Sequence, residues 1–195
     1  MDIGILGTGA VGTALATAFS EAGHDVVLGS RSPETTGAEW PVRPHAEAIA
    51  HGAVVVLAVP TAAAPAVARD HREALAGTVV IDPTNEYPTA ETEPSAASRL
   101  AEAAPEAAVV KAFNTIGANR MTEPELEDTK ITMFIAGDDP EATATVAALA
   151  ADVGFDPLVT GDLEQAAHLE AVARLWIDLS QELGRDIGFR LLGAD

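Results

Sequence analysis

The sequence predicts an α/β protein, with a Rossmann-type doubly wound, mainly parallel sheet and a short C-terminal helical extension. Three observations predict it. The chain opens with a short apolar strand, Asp2-Ile-Gly-Ile-Leu6, that runs into Gly7-x-Gly9-x-x-Gly12 and then a helical pattern. Strand-like and helix-like segments alternate along the rest of the chain, which implies parallel strands joined by crossover helices. The run Ala53-Val-Val-Val-Leu-Ala-Val59 is apolar without alternation, as expected of a strand covered on both faces. The expected division is a dinucleotide-binding domain over residues 1–160 and a helical extension over 161–195 that completes the cleft.

The opening motif lies between the two elements its chemistry requires. Ile3, Ile5 and Leu6 read as strand, and Val11, Leu15, Ala18, Phe19 and Ala22 fall at helical spacing. In such a unit the first glycine makes the tight turn, the second lets backbone approach a pyrophosphate, and the third lets helix and strand pack closely. Gly7, Thr8, Gly9, Ala10, Val11 and Gly12 are therefore candidates to cradle a diphosphate on the helix N-terminus. The unpaired N–H groups there hold negative charge without any Lys or Arg.

Asp25-Val-Val-Leu28 reads as the second strand, and its end selects the cofactor. NAD-selecting chains usually place Asp or Glu about 20 residues beyond the glycines, to accept from the ribose 2′-hydroxyl. Here Gly29-Ser30-Arg31-Ser32 stands there, with no carboxylate before Glu34. A guanidinium with two hydroxyls suits a 2′-phosphate, so Ser30, Arg31 and Ser32 point to NADP(H). The alternative is an arginine in a surface turn.

Residues 33–52 carry Pro33, Gly37, Pro41 and Pro44, which leaves room only for a short helix near Pro44 to Ala50. Pro60 ends the strand at 53–59. Strand ends border the crevice in open α/β sheets, so Ala58, Val59 and Pro60 should lie near the ribose or nicotinamide. A helix from Ala62 to Ala76 leads to a strand at Thr78-Val-Val-Ile81. Asp82-Pro-Thr-Asn85 follows, where Asp82 and Asn85 either shape the turn or face the cofactor. The acidic, proline-punctuated segment through Pro94 reads as a loop or lid.

Helix resumes from Ser95 to Ala104, followed by a strand at Ala108-Val-Val-Lys-Ala-Phe113 with Asn114, Thr115, Ile116, Gly117 and Ala118 at its carboxyl end. Ile131 to Ile135 and Phe155 to Val159 are further strands. Between them Asp139 caps a helix with Pro140 at its first position. In the closing helix Asp162 and Gln165 look like a cap, and the apolar positions from Leu169 to Leu183 cover an arc of roughly 200°. Either the tail from Ile187 to Leu192 folds over this arc, or a second chain or an apolar ligand does. A homodimer is the expectation.

Thirty acidic residues face 11 basic ones, only two of them lysines, for a net charge of −19. Nucleic acid is therefore not an expected partner. Such a balance, in an Ala-rich chain, suits a salt-rich cytoplasm, where a Debye length of about 3 Å screens the self-repulsion. The melting temperature should accordingly rise with salt; equal stability in dilute buffer would remove the halophilic reading. No cysteine is present, so thiolate chemistry and disulfides are excluded, and no metal site is expected. No apolar run reaches the roughly 18 residues of a membrane span, and no signal-peptide pattern opens the chain, so a cytoplasmic location is expected. The five histidines share no spacing, and no acid–base constellation stands out.

The opening motif, Leu-Gly-Ser30-Arg31, Val-Val-Lys111-Ala-Phe-Asn114-Thr115-Ile116-Gly117-Ala118, Gly137-Asp-Asp and Leu-Gly-Arg185-Asp-Ile-Gly-Phe-Arg together resemble the NADP-dependent coenzyme F420 (deazaflavin) reductases, nearly end to end. The Lys-Ala-Phe-Asn-Thr segment is the more specific part. Its relatives include the cytosolic domain of membrane ferric reductases. The resemblance implies reversible hydride transfer between NADP(H) and coenzyme F420 as substrate. By the same resemblance Thr8 to Val11 would cradle the pyrophosphate, Ser30 and Arg31 would hold the 2′-phosphate, Ala58 to Pro60 would line the nicotinamide half, and Asn114 to Ala118 would border the meeting rings. One departure bears on the 2′-phosphate: Ser-Pro-Glu-Thr follows Arg31, without the further basic residue that family members often place there. Ser32 substitutes only in part.

Hydride transfer between two bound heterocycles needs chiefly that they be held about 3–3.5 Å apart, the cofactors supplying the chemistry. The same crevice would serve an NADPH-dependent flavin, ferric or quinone reductase. A non-catalytic NADP(H)-binding redox sensor is the alternative of another class. An imine reductase is disfavoured, because only about 35 residues follow the last strand where that class needs a large helical dimer domain.

Overall fold

The computed structural model describes residues 1–35, 39–87 and 94–193. In chain order the first half contains β1 (Asp2–Leu6), α1 (Ala10–Glu21), β2 (Asp25–Gly29), β3 (Val42–Arg43), α2 (His45–His51), β4 (Val54–Leu57), α3 (Ala64–Asp70), β5 (Val79–Asp82), α4 (Ala96–Ala103) and β6 (Ala108–Lys111). A small hairpin of β7 (Glu125–Leu126) and β8 (Thr129–Lys130) follows, then β9 (Thr132–Gly137), α5 (Pro140–Val153), β10 (Asp156–Gly161) and α6 (Ala166–Leu183). The large sheet has the order β10-β9-β6-β5-β4-β1-β2-β3. Its first six strands thus run 3-2-1-4-5-6, the order of dinucleotide-binding folds, and the order reverses between β1 and β4. Every pairing in this sheet is parallel except β6 with β9.

The unbroken apolar strands have a direct cause. Ile3, Ile5, Val26, Leu28, Val54 and Val56 pack into one cluster with Leu15 and Phe19 of α1, while Leu6, Val27, Val55 and Leu57 join Ala48 and Ile49 of α2 on the opposite face. Side chains alternate across a strand, and helices cover both faces, so both sets are buried. Asp139 caps α5 as expected, its Oδ1 accepting from the amides of Glu141 and Ala142 at 2.8 and 3.0 Å.

Three features differ from the sequence reading. β3 was not expected: two residues between Pro41 and Pro44 pair with β2, because Leu28 N donates to Pro41 O and Ser30 N to Arg43 O, both at 2.9 Å. The helix expected over 62–76 is a 3₁₀ turn at Thr61–Ala63 and then α3, which stops at Asp70. Beyond it, the amides of Ala74 and Leu75 both bond to His71 O and Leu75 is driven into the core; burial of that side chain overrides helix propensity. Asp162 makes no side-chain cap; the amide of Leu163 donates to Asp138 Oδ1 instead. The tail does reach α6, since Trp176 Nε1 donates to Ile187 O at 3.0 Å, and it meets β9 where Thr132 N donates to Phe189 O at 2.9 Å. It leaves Leu175, Leu183, Leu191 and Leu192 exposed. Most of the loop expected through Pro94 falls on residues 88–93, outside the described residues. No helix among the described residues is long and apolar enough to cross a membrane.

Candidate functional site

The site begins where β1 ends. Gly7 adopts φ +122°, and a Cβ there would lie 2.1 Å from the carbonyl oxygen of Ala58, so only glycine lets the ends of β1 and β4 approach. A Cβ on Gly12 would meet Gly7 O at 2.2 Å, which fixes α1 against the loop. Gly9 differs from both. A Cβ there would meet nothing within 4 Å, so this glycine faces open space. Gly9 is also the N-cap of α1, with no side chain capping the helix and no acidic residue in its first turn. The first backbone bond of the helix runs from Thr13 N to Gly9 O, which leaves the amides of Ala10, Val11 and Gly12 without intrahelical partners.

Opposite this terminus stands the end of β2. Ser30 Oγ accepts from Ser32 N at 3.1 Å, which folds the segment into a tight turn, and Gly7 N donates to Gly29 O at 2.9 Å, which ties it to the glycine loop. Arg31 is exposed and makes no ion pair among the described residues. The two ends and that of β4 enclose a cleft of about 430 Å³ lined by Gly7, Thr8, Gly9, Ser30, Arg31, Ser32, Ala58, Val59 and Pro60. Ala63 and Val67 add an apolar wall, and His45 faces the same space. His45 was missed in the sequence. It stands 14 residues beyond Arg31, across a proline-rich connection, and no spacing rule joins the two.

The remaining candidates gather elsewhere. Asn85 and Asn114 meet at the carboxyl ends of β5 and β6: Asn85 Nδ2 donates to Asn114 O at 2.8 Å, and Asn114 Nδ2 to Asn85 Oδ1 at 3.0 Å and to Leu169 O of α6 at 3.1 Å. Asn114 Oδ1 is buried without a partner among the described residues, as is Thr84 Oγ1. Thr115, Ile116 and Gly117 are buried too, with Gly117 against the Trp176 ring. Ala118 opens a 3₁₀ turn that packs on α1. This second group is therefore beside the cleft rather than lining it. Just before it, Phe113 holds a left-handed φ of 59°, fixed by edge-to-face contacts with Phe19 and Phe155 at 5.7 and 5.9 Å. Such a conformation is uncommon for a bulky residue, and it redirects the chain from β6 into Asn114.

Next to the second group lies an ionic node that spacing does not reveal. Lys111 of β6 is fully buried, and its Nζ donates to Asp82 Oδ2 of β5 at 3.0 Å, to Thr84 O at 2.5 Å and to Glu170 Oε1 of α6 at 2.9 Å. Glu170 Oε1 also accepts from Ala96 N, at the start of α4, at 2.9 Å. All three ammonium donors are used. The node clamps two strand ends to two helices and so sets the height of Asn85 and Asn114.

Residues 2–86 match the family described as NADP oxidoreductase, coenzyme F420-dependent. The chain is 34% identical over 183 residues to the metalloreductase STEAP3 of Rattus norvegicus, covering 87% of this chain and 36% of that protein. It is 27% identical to STEAP2 of Mus musculus, so the chain spans about a third of the length of the curated relatives it matches. A crystal structure of a candidate F420-dependent NADP-reductase from Arthrobacter sp. superposes with a TM-score of 0.89 at 29% identity, covering 99% of this chain and 100% of that one. An imine reductase from Aspergillus terreus in complex with NADPH4 shares the fold at a TM-score of 0.68 and 21% identity, over 93% of this chain and 62% of that one. With its glycine-loop strand order, its open helix terminus and this likeness along its whole length, the chain is similar to the coenzyme F420-dependent NADP oxidoreductases, with residues 2–86 matching that family.

Proposed function

We propose that this chain binds NADP(H) in the cleft between β1, β2 and β4 and exchanges a hydride with coenzyme F420. The observation that carries the cofactor reading is the pairing, across one cleft, of an uncapped helix terminus opening at Gly9 with the guanidinium of Arg31, which makes no ion pair among the described residues. The first fits a diphosphate and the second a 2′-phosphate. When bound, the nicotinamide supplies the hydride. The chain's own part is to hold and orient. The amides of Ala10, Val11 and Gly12 grip the diphosphate, Ser30 and Arg31 hold the 2′-phosphate, and Ala58 to Pro60 direct the far ribose toward the carboxyl ends of β5 and β6. The family match over residues 2–86 and the whole-length likeness to the Arthrobacter protein support the deazaflavin as the second ring.

A second reading, an NADPH-dependent flavin, ferric or quinone reductase, has a specific observation in its favour, the 34% identity to a metalloreductase. Mixing the protein with NADPH and either oxidised F420 or FMN, at low and high salt, separates the readings by the acceptor's absorbance. Bleaching of F420 alone supports the first and of FMN alone the second. Saturable NADPH binding with no turnover of either would move the assignment to a redox sensor. The homodimer expected from the last helix would use the exposed leucines of α6 and the tail.

Arg31→Ala tests the cofactor half. Loss of a charge-assisted contact worth about 1.5–3 kcal/mol should raise KM for NADPH about 10- to 100-fold and leave KM for NADH nearly unchanged. Steady-state kinetics with both nucleotides reads the difference. An unaltered preference would place the 2′-phosphate elsewhere.

A further inference from the structure

We propose that His45 is a second ligand for the 2′-phosphate of NADP(H), entering the complex neutral and taking up a proton as the phosphate arrives. This rests on the cofactor reading above and adds to it a residue and a proton. The geometry is direct. His45 and Arg31 line one cleft together with Ser30, and the His45 ring sits over Gly29, where a Cβ would lie 3.3 Å from its Cδ2. Neither ring nitrogen of His45 has a hydrogen-bond partner among the described residues; its one ring contact is edge-to-face with His71 at 5.8 Å. After Arg31 the sequence runs Ser-Pro-Glu-Thr, so no neighbour in the chain offers the dianion a second cation. His45 is placed to be that cation.

In the free protein its proton affinity lies below the ordinary imidazole value, first because of burial, then because of His71 and Arg31. The elements packed on α2 bring few other charges near. β3 carries Arg43, and α2 itself carries Glu47 in its first turn. Asp2 and Asp25 stand at the starts of β1 and β2, away from the cleft, where Asp25 meets His51 at 3.8 Å. Among the described residues no carboxylate lines the cleft with His45. A phosphate dianion there would reverse the sign of the local field and raise the imidazole affinity. The sign for binding follows by linkage: a group protonated more in the complex than in the free protein makes affinity rise as pH falls. NAD(H), lacking the phosphate, should show no such term.

The test is calorimetric titration of the full chain with NADP⁺ and NAD⁺, from pH 6.5 to 8.5, in two buffers of different ionisation enthalpy. In the wild type, NADP⁺ should take up a fraction of a proton more than NAD⁺, and preference for NADP⁺ should fall about 5- to 10-fold across the range. In His45→Asn and His45→Gln both effects should vanish, with NAD⁺ binding as the internal check on the fold. Equal proton uptake and equal pH slopes in wild type and both variants would overturn the proposal. If NADP⁺ binds and Arg31→Ala weakens it while the His45 variants keep the slope, this inference alone falls. If NADP⁺ fails to bind the wild type saturably, the cofactor reading falls with it.

Discussion

Lys111→Met should lower the unfolding free energy by about 3–5 kcal/mol, the usual cost of removing one partner from a buried ion pair. For a chain of this length that is a fall in Tm of about 6–20 °C. The size follows from what stays behind. Lys111 is wholly buried between Asp82 and Glu170, so methionine fills the same space and leaves two carboxylates facing apolar surroundings without a counter-charge. Thr84 O loses its donor as well. Glu170→Gln should cost less, about 1–2 kcal/mol, since an oxygen remains for both Nζ and the Ala96 amide. Denaturant unfolding at a fixed high salt concentration, which removes the general acidic repulsion, measures both. A loss under about 1 kcal/mol for Lys111→Met would show that the clamp between the sheet and α6 is held by packing rather than by this node.

What the sequence revealed divides by range. The glycine loop, the strands and the Ser30–Arg31 turn were legible because each is a local event: a turn needs Gly7, a strand covered on both faces needs an apolar run, and the end of β2 lies at a fixed distance from the glycines. The node was not legible. Asp82, Lys111 and Glu170 are separated by 29 and 59 residues, and a lone lysine in an apolar strand carries no pattern that names its partners. His45 escaped for the same reason. The early stop of α3 and the two-residue β3 were decided by Leu75 seeking the core and by open ladder groups on β2, which local propensity does not encode. The carboxyl-end segment from Asn114 to Gly117 was placed correctly along the chain. Its burial beneath α6 could not be foreseen, because it depends on where an element fifty residues later comes to rest.

Gly9→Val should abolish measurable nucleotide binding while sparing the fold, and Gly12→Ala should destabilise the fold itself. Gly9 has φ −82° and ψ −175°, an extended conformation that any residue adopts, and open space beyond its Cα. A valine there costs about 1 kcal/mol, the difference between glycine and an aliphatic residue at a helix N-cap, too little to unfold the protein. Its side chain nevertheless stands in the volume a diphosphate would fill in front of the α1 amides. Dissociation constants for NADPH and NADH should therefore rise together by at least about 100-fold, near 2.7 kcal/mol. At Gly12 the added methyl lies 2.2 Å from a backbone oxygen that cannot swing aside, so α1 must shift from the sheet at a cost of about 1–3 kcal/mol. Thermal melts and fluorescence titration with both nucleotides read the contrast. Set beside Arg31→Ala, which should touch NADPH only, the three substitutions separate diphosphate, 2′-phosphate and scaffold. A Gly9→Val protein that melts like the wild type and still binds both nucleotides would move the diphosphate away from the α1 terminus and leave the cleft without its ligand.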